Sequence, residues 1–94
     1  MIMPAVLQLN APIIKGRFDE VASYLGLSGG FSGFCDCVNH FNDKFAIPKS
    51  LKELGVIEPN IGIIIKGALS DPSIGGNPVQ LTSENLRQIL EGLL

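Results

Sequence analysis

Asp36, His40 and Asp43 stand at i, i+4 and i+7, so a helix over this stretch projects all three from one face, where they could chelate a divalent ion. His40 is the only histidine in the chain, and no fourth ligand is at hand. The face also lies opposite the aromatic stripe of the same helix, and its plainer reading is a solvated polar surface with a modest ion pair. The two cysteines, Cys35 and Cys37, are too close for a disulfide to close a useful loop, and a helix points them to different faces. A Cys-x-Cys pair can bind soft metals. With one histidine, however, cysteine and histidine alone cannot assemble the usual four-ligand zinc set, so both read as reduced structural thiols.

The glycine clusters carry weaker chemistry. Gly75-Gly76-Asn77 lacks the buried strand before it, the Lys-Ser/Thr pair and the helix start that a phosphate loop needs. Gly29-Gly30-Phe31-Ser32-Gly33 follows a helix and reads as a turn. Ser32 has no strand-turn-helix setting and no second glycine at the spacing of a hydrolase nucleophile elbow. No catalytic, cofactor-binding or metal-ligating residue is therefore assigned on this chain.

The elements that would position these residues are almost all helical. Asn10-Ala11-Pro12 predicts the end of an opening apolar helix, because the residue before a proline is pushed out of the helical region. Phe18, Val21, Ala22 and Leu25 then predict a short amphipathic helix from about Gly16 to Leu25, closed by Gly26. Ser28 to Gly33 is expected to be a loop. Phe34, Val38, Phe41 and Phe45 recur at four, three and four, which predicts a helix whose aromatic stripe is core.

After the break at Ala46-Ile47-Pro48, Ser50 and Glu53 form a capping-box pattern for one or two helical turns ended by Gly55. Ile57 to Ser70 is β-branched enough for a strand, yet Ile61, Ile64, Ile65, Ala68 and Leu69 keep helical spacing between Glu58-Pro59 and Asp71-Pro72, so a helix is expected. Ser73 to Val79 reads as a loop. Thr82 then caps a last helix with Leu86, Ile89, Leu90 and Leu93 on one stripe. The expected fold is all-α, a small orthogonal bundle of about five helices forming a single domain over residues 1–94.

Size and charge narrow the function classes. Ninety-four residues exclude a two-domain enzyme. Seven basic against nine acidic residues offer no electropositive face for nucleic acid. No apolar run approaches the ~20 residues needed to span a bilayer. The apolar stretch Met1 to Leu9 lacks the basic region of a secretory signal, so a soluble cytoplasmic location is expected. An apolar content of 46% and a mean hydropathy of +0.34 are high for so short a chain and suggest surface meant for another domain or subunit.

Three segments in order give the sequence a likeness. Ile2-Met3-Pro4-Ala5-Val6-Leu7-Gln8-Leu9-Asn10-Ala11-Pro12, then Ala46-Ile47-Pro48-Lys49-Ser50-Leu51-Lys52-Glu53-Leu54-Gly55-Val56, then Gly76-Asn77-Pro78, resemble the tail end of the metal-dependent (iron-containing, group III) alcohol dehydrogenases. The middle segment, Ile47-Pro48 to Gly55, is the most specific. The resemblance implies the helical C-terminal domain of a dehydroquinate synthase-like fold, which in the whole enzyme packs on an N-terminal dinucleotide-binding domain.

It also implies a parent enzyme that uses iron or zinc, held by one aspartate and three histidines, together with NAD(P). Those ligand positions fall upstream of the segment matching Met3, and His40 aligns with none of them. Two stretches depart from the family pattern: Ser28 to Gly33 stands where a longer acidic helical stretch is usual, and Ile61 to Gly67 is richer in glycine and β-branched residues. The leading expectation is a C-terminal portion that is inactive alone. The alternative is a free-standing interaction module that self-associates or docks onto a dehydrogenase N-terminal half. An independent metal site on Asp36, His40 and Asp43 is the third.

Overall fold

Helix formation here follows apolar stripes, and where stripe and local punctuation conflict, the stripe decides. The computed structural model describes all residues 1–94: α1 (Met3–Tyr24), α2 (Gly30–Lys44), a 3-10 turn (Lys52–Leu54), α3 (Glu58–Ser70), a second 3-10 turn (Pro72–Gly76) and α4 (Ser83–Gly92), with no strand. The all-α class holds, with four α-helices in place of about five. Contacts divide the chain into two compact units, Met1–Ile47 and Pro48–Leu94.

In the first unit, α1 runs straight through Pro12, so the helix end expected at Asn10 and the separate helix from Gly16 are corrected to one helix of 22 residues. Proline inside a helix removes a hydrogen bond and costs about 3 kcal/mol. Here Leu7, Ala11, Ile14 and Phe18, at i, i+4, i+7 and i+11, form one stripe against Phe31, Phe34, Cys35 and Val38 of α2. Breaking the helix at Pro12 would rotate Ile14 and Phe18 out of that stripe, and their burial offsets the lost bond. Phe18 meets the edges of Phe31 and Phe34 at centroid distances of 6.3 and 4.9 Å.

α2 begins at Gly30, so the loop expected over Ser28 to Gly33 is corrected to a corner and a first helical turn. Gly29 and Gly30 take φ of +89° and +60°, which side chains rarely adopt, and a Cβ on Gly33 would sit 1.9 Å from the Ser28 carbonyl oxygen. The cap comes from the other helix: the Phe31 N–H donates to Asp19 Oδ1 at 2.7 Å. A carboxylate there satisfies an orphan amide and complements the helix dipole.

The core uses the earlier part of the expected stripe, extended back to Phe31. Phe31 and Cys35 are buried, whereas Phe41 and Phe45, expected in the core, are 58% and 56% exposed. These two rings pack on each other at 4.6 Å, with the Lys44 ammonium 5.8 Å from the Phe45 centroid.

Both helices of this unit end in the same motif. After α1, the Gly26 and Leu27 amides donate to the carbonyls of Ser23 and Ala22, with Gly26 at φ +74°. After α2, those of Ala46 and Ile47 donate to Asp43 and Asn42, and Ala46 takes φ +51°. This is the Schellman closure, in which a left-handed residue turns the chain and satisfies the last carbonyls.

In the second unit the Ser50 and Glu53 pattern forms as a 3-10 turn. Ser50 Oγ accepts from the Glu53 N–H, and Glu53 Oε1 accepts from Ser50 Oγ and the Lys49 N–H, each at 3.3 Å. The expected reciprocal bond to the Ser50 amide therefore falls one residue earlier. Gly55, at φ +81°, ends the turn. The helix expected over Ile57 to Ser70 is present as α3, with Ile61 and Ile65 buried. Its start is held by Asn60, whose Oδ1 accepts from the Ile57 N–H at 3.0 Å.

Pro72–Gly76 makes a 3-10 turn that takes up the first part of the loop expected over Ser73 to Val79, and Thr82 caps α4, accepting from the Asn85 N–H at 3.2 Å while Asn85 Oδ1 accepts from the Thr82 N–H at 2.8 Å. The Leu51 N–H donates to the Leu93 carbonyl at 2.7 Å, closing the end of this unit onto its beginning.

Candidate functional site

The polar face of α2 is the place where the sequence put its only metal candidates. Asp36, Cys37 and His40 do share a groove, an open volume of about 400 Å³ bordered by Leu27, Ser28 and Gly33 at the α1–α2 corner. Asp43, a turn further along, does not line it. Nowhere does the chain place three or more His, Cys, Asp or Glu side chains so that they could hold a metal ion. The donor set does not fit an iron or zinc centre, which takes four or more ligands or three with an open position.

The two cysteines separate as helix geometry requires. Cys37 is exposed and Cys35 is buried. Gln8 Nε2 of α1 donates to Cys35 Sγ at 3.7 Å. Burial, aided by the negative charge of Asp36, pushes the Cys35 thiol above its ordinary range, against the thiolate. Cys35 is a packing residue of the α1–α2 core.

In the second unit, the segment Asp71 to Asn77 borders a groove of about 340 Å³ with Ala68, Ile74 and Leu81. Its polar groups hold the turn itself. The Asp71 carboxylate accepts from the Ser73 N–H at 2.8 Å and from the Ser73 hydroxyl, and those bonds hold its pKa below the usual carboxylate value. Asn77 Nδ2 donates to the Val79 carbonyl at 2.6 Å. Gly75 and Gly76 sit in the 3-10 turn rather than between a strand and a helix, so the phosphate-loop arrangement is not formed.

Asp19 is the residue whose role sequence reasoning missed. The only signal was a carboxylate on the solvent side of α1 one short corner before a glycine-led helix start.

The architecture is thus a set of helices in which Asp19, Ser50, Asn60, Asp71 and Thr82 hold helix starts and turns. Compared with known proteins, residues 1–94 match the family described as Fe-containing alcohol dehydrogenase family, C-terminal. The chain belongs to this family. Among its relatives are the NADPH-dependent butanol dehydrogenase of Clostridium saccharobutylicum, 28% identical over 95% of this chain and 25% of the relative, and the NAD-dependent methanol dehydrogenase of Bacillus methanolicus, 29% identical over 98% and 26%. Alcohol dehydrogenase 4 of Saccharomyces cerevisiae (strain YJM789) is 31% identical over 97% of this chain and 25% of its own length. The chain therefore spans about a quarter of the length of these dehydrogenases. No solved structure matches it.

Membership in the iron-containing alcohol dehydrogenase family agrees with the all-helical architecture and with the likeness carried by the Ile47-Pro48 to Gly55 element. The family match is to the C-terminal part, and all 94 residues fall within it.

Proposed function

We propose that this chain serves as the C-terminal helical portion of a metal-dependent, NAD(P)-linked alcohol dehydrogenase, contributing scaffold and cleft wall but unable to transfer hydride alone. The observation that carries this reading is the pairing of a family match over every residue with coverage of only a quarter of the related enzymes. Asp36, Cys37 and His40 line one groove, but their side chains are not placed together as a metal-holding group. Residues 1–94 work in this reading as one helical portion, its partner being the dehydrogenase part that precedes this region in the relatives.

The cytoplasm is the proposed location. No helix is long and apolar enough to cross a membrane, and the net charge of −2 gives no footprint for nucleic acid. The test is direct. Purified chain with iron or zinc, NAD(P) and simple alcohols is expected to show no turnover above blank, and metal-dependent oxidation of an alcohol by the chain alone would sink the proposal.

A second reading is a free-standing interaction module that self-associates. It is favoured by the apolar surface left open, with Tyr24 at 90% exposure in the first unit and Ile63 at 73% in the second. Size-exclusion chromatography with light scattering decides it, since a strict monomer at high concentration excludes self-association.

A further inference from the structure

α3 is apolar on more sides than its own neighbours use. Of its 13 residues only Glu58 and Lys66 are charged. Ile61 and Ile65 fill the buried face. On the opposite side Pro59, Ile63, Gly67 and Ser70 fall at i, i+4, i+8 and i+11, a single uncharged stripe. Ile63 at its centre is 73% exposed. Lys66 borders this stripe, and an isoleucine so exposed in the middle of it is surface left without apolar cover.

Two further observations concern the same stripe. A Cβ on Gly67 would meet nothing within 4 Å, so no neighbour in this chain requires a glycine there, although glycine weakens a helix interior relative to alanine. Gly62, off the stripe, is equally open, so what sets Gly67 apart is its place one turn from the exposed Ile63. The Ser70 hydroxyl donates to the Lys66 carbonyl of its own helix at 2.9 Å, so the one polar side chain on the stripe can be covered without losing its partner.

We infer that the Pro59–Ile63–Gly67–Ser70 stripe of α3 is a docking face covered by an apolar surface of the dehydrogenase portion that this chain does not span, with Ile63 as the knob and Gly67 as the notch. The inference rests on the reading under Proposed function and adds the contact residues. The occupant follows from length and chemistry. The butanol dehydrogenase relative is covered over 25% of its length, which leaves 75% outside the match and ample chain to bury the stripe. An uncharged stripe suits a permanent, core-like contact better than a transient one.

The test uses two proteins: the 94-residue chain, and the Clostridium saccharobutylicum butanol dehydrogenase with its matched quarter replaced by this chain. In the isolated chain, Ile63→Lys is expected to leave Tm within about 3 °C, as for an exposed site, and both Gly67→Ala and Gly62→Ala to raise it by about 4 °C. In the chimera, Ile63→Lys and Gly67→Ala are expected to lower Tm by about 5 °C or more, while Gly62→Ala, which lies off the stripe, remains stabilising. Ile63→Gln, which brings no charge, is expected to lower the chimera's Tm in the same direction.

If the stripe variants change the chimera only as they change the isolated chain, the docking face is wrong while the functional reading stands. A chimera that does not fold, beside a parent that does, removes both. An isolated chain that is dimeric by light scattering and becomes monomeric with Ile63→Lys assigns the stripe to a second copy and overturns the inference.

Discussion

Asp19 Oδ1 accepts the Phe31 N–H at 2.7 Å, so the carboxylate that caps α2 comes from α1, twelve residues earlier. Loss of such a cap costs about 1 kcal/mol, within a range of roughly 0.5–2. Asp19→Ala is expected to lower unfolding free energy by that amount and Asp19→Asn, which keeps an acceptor oxygen, by less. Urea unfolding followed by circular dichroism measures both, and equal losses for the two variants would contradict the cap.

The two Schellman closures make paired, opposite predictions. Gly26 occupies the left-handed position after α1 and Ala46 the equivalent one after α2, where L-residues carry about 1–2 kcal/mol of strain. Ala46→Gly is expected to raise stability by about 1 kcal/mol and Gly26→Ala to lower it by a similar amount. A thermal melt in which Ala46→Gly has no effect or is harmful would show that the turn relaxes some other way.

Glycines 16 and 33 should part company. A Cβ at Gly16 meets nothing within 4 Å and its backbone is helical, so Gly16→Ala is expected to stabilise by about 0.5–1 kcal/mol. A Cβ at Gly33 would lie 1.9 Å from the Ser28 carbonyl oxygen, so Gly33→Ala must shift the corner and is expected to destabilise by about 1–3 kcal/mol. Comparing the two denaturation midpoints is sufficient.

Two groups contribute to the pH dependence from opposite ends. Asp71 has a folded pKa below its unfolded value, from its bonds to Ser73, so its contribution is present above the unfolded pKa and fades as pH falls through the folded one. Asp71→Asn is expected to flatten the acid limb of stability. Cys35 has a folded pKa above its unfolded value because of burial. Its contribution is therefore intact below the unfolded pKa and is lost as pH rises through the folded one, because the thiol ionises more easily in the unfolded chain. Cys35→Ala should remove that alkaline slope, and a slope unchanged in the variant would assign it elsewhere.

The groove at Asp36, Cys37 and His40 yields a negative prediction. With fewer than three ligands positioned together, zinc or iron titrated into the chain is expected to give no saturable heat in calorimetry. Saturable binding abolished by His40→Ala would restore the metal site.

Much of this fold was legible because apolar spacing is a local quantity. α3 and α4, the caps at Thr82 and Ser50 and the stop at Gly26 all follow from residues within a turn of one another. Pro12 misled because its local penalty is visible in sequence, whereas the compensating stripe of Leu7, Ala11, Ile14 and Phe18 gains its energy only against α2. The glycines at 29, 30 and 33 misled for a related reason: their helix start depends on Asp19, which is distant along the chain. Phe41 and Phe45 continue the face of Phe34 and Val38 as their spacing requires, but the α1 stripe packs only on the earlier part of that face, which spacing alone does not reveal. For the site, spacing put Asp36, His40 and Asp43 on one side of a helix, but only coordinates show that this does not bring three ligands to one point.

The bond from Leu51 to Leu93 gives the second unit a built-in reporter. Leu51 is buried, and its amide proton is shielded by a carbonyl contributed from just beyond the end of α4. Deuterium uptake at that single amide therefore times the detachment of the last helix. A change that loosens α4 without unfolding α3 would register there before any bulk signal moved.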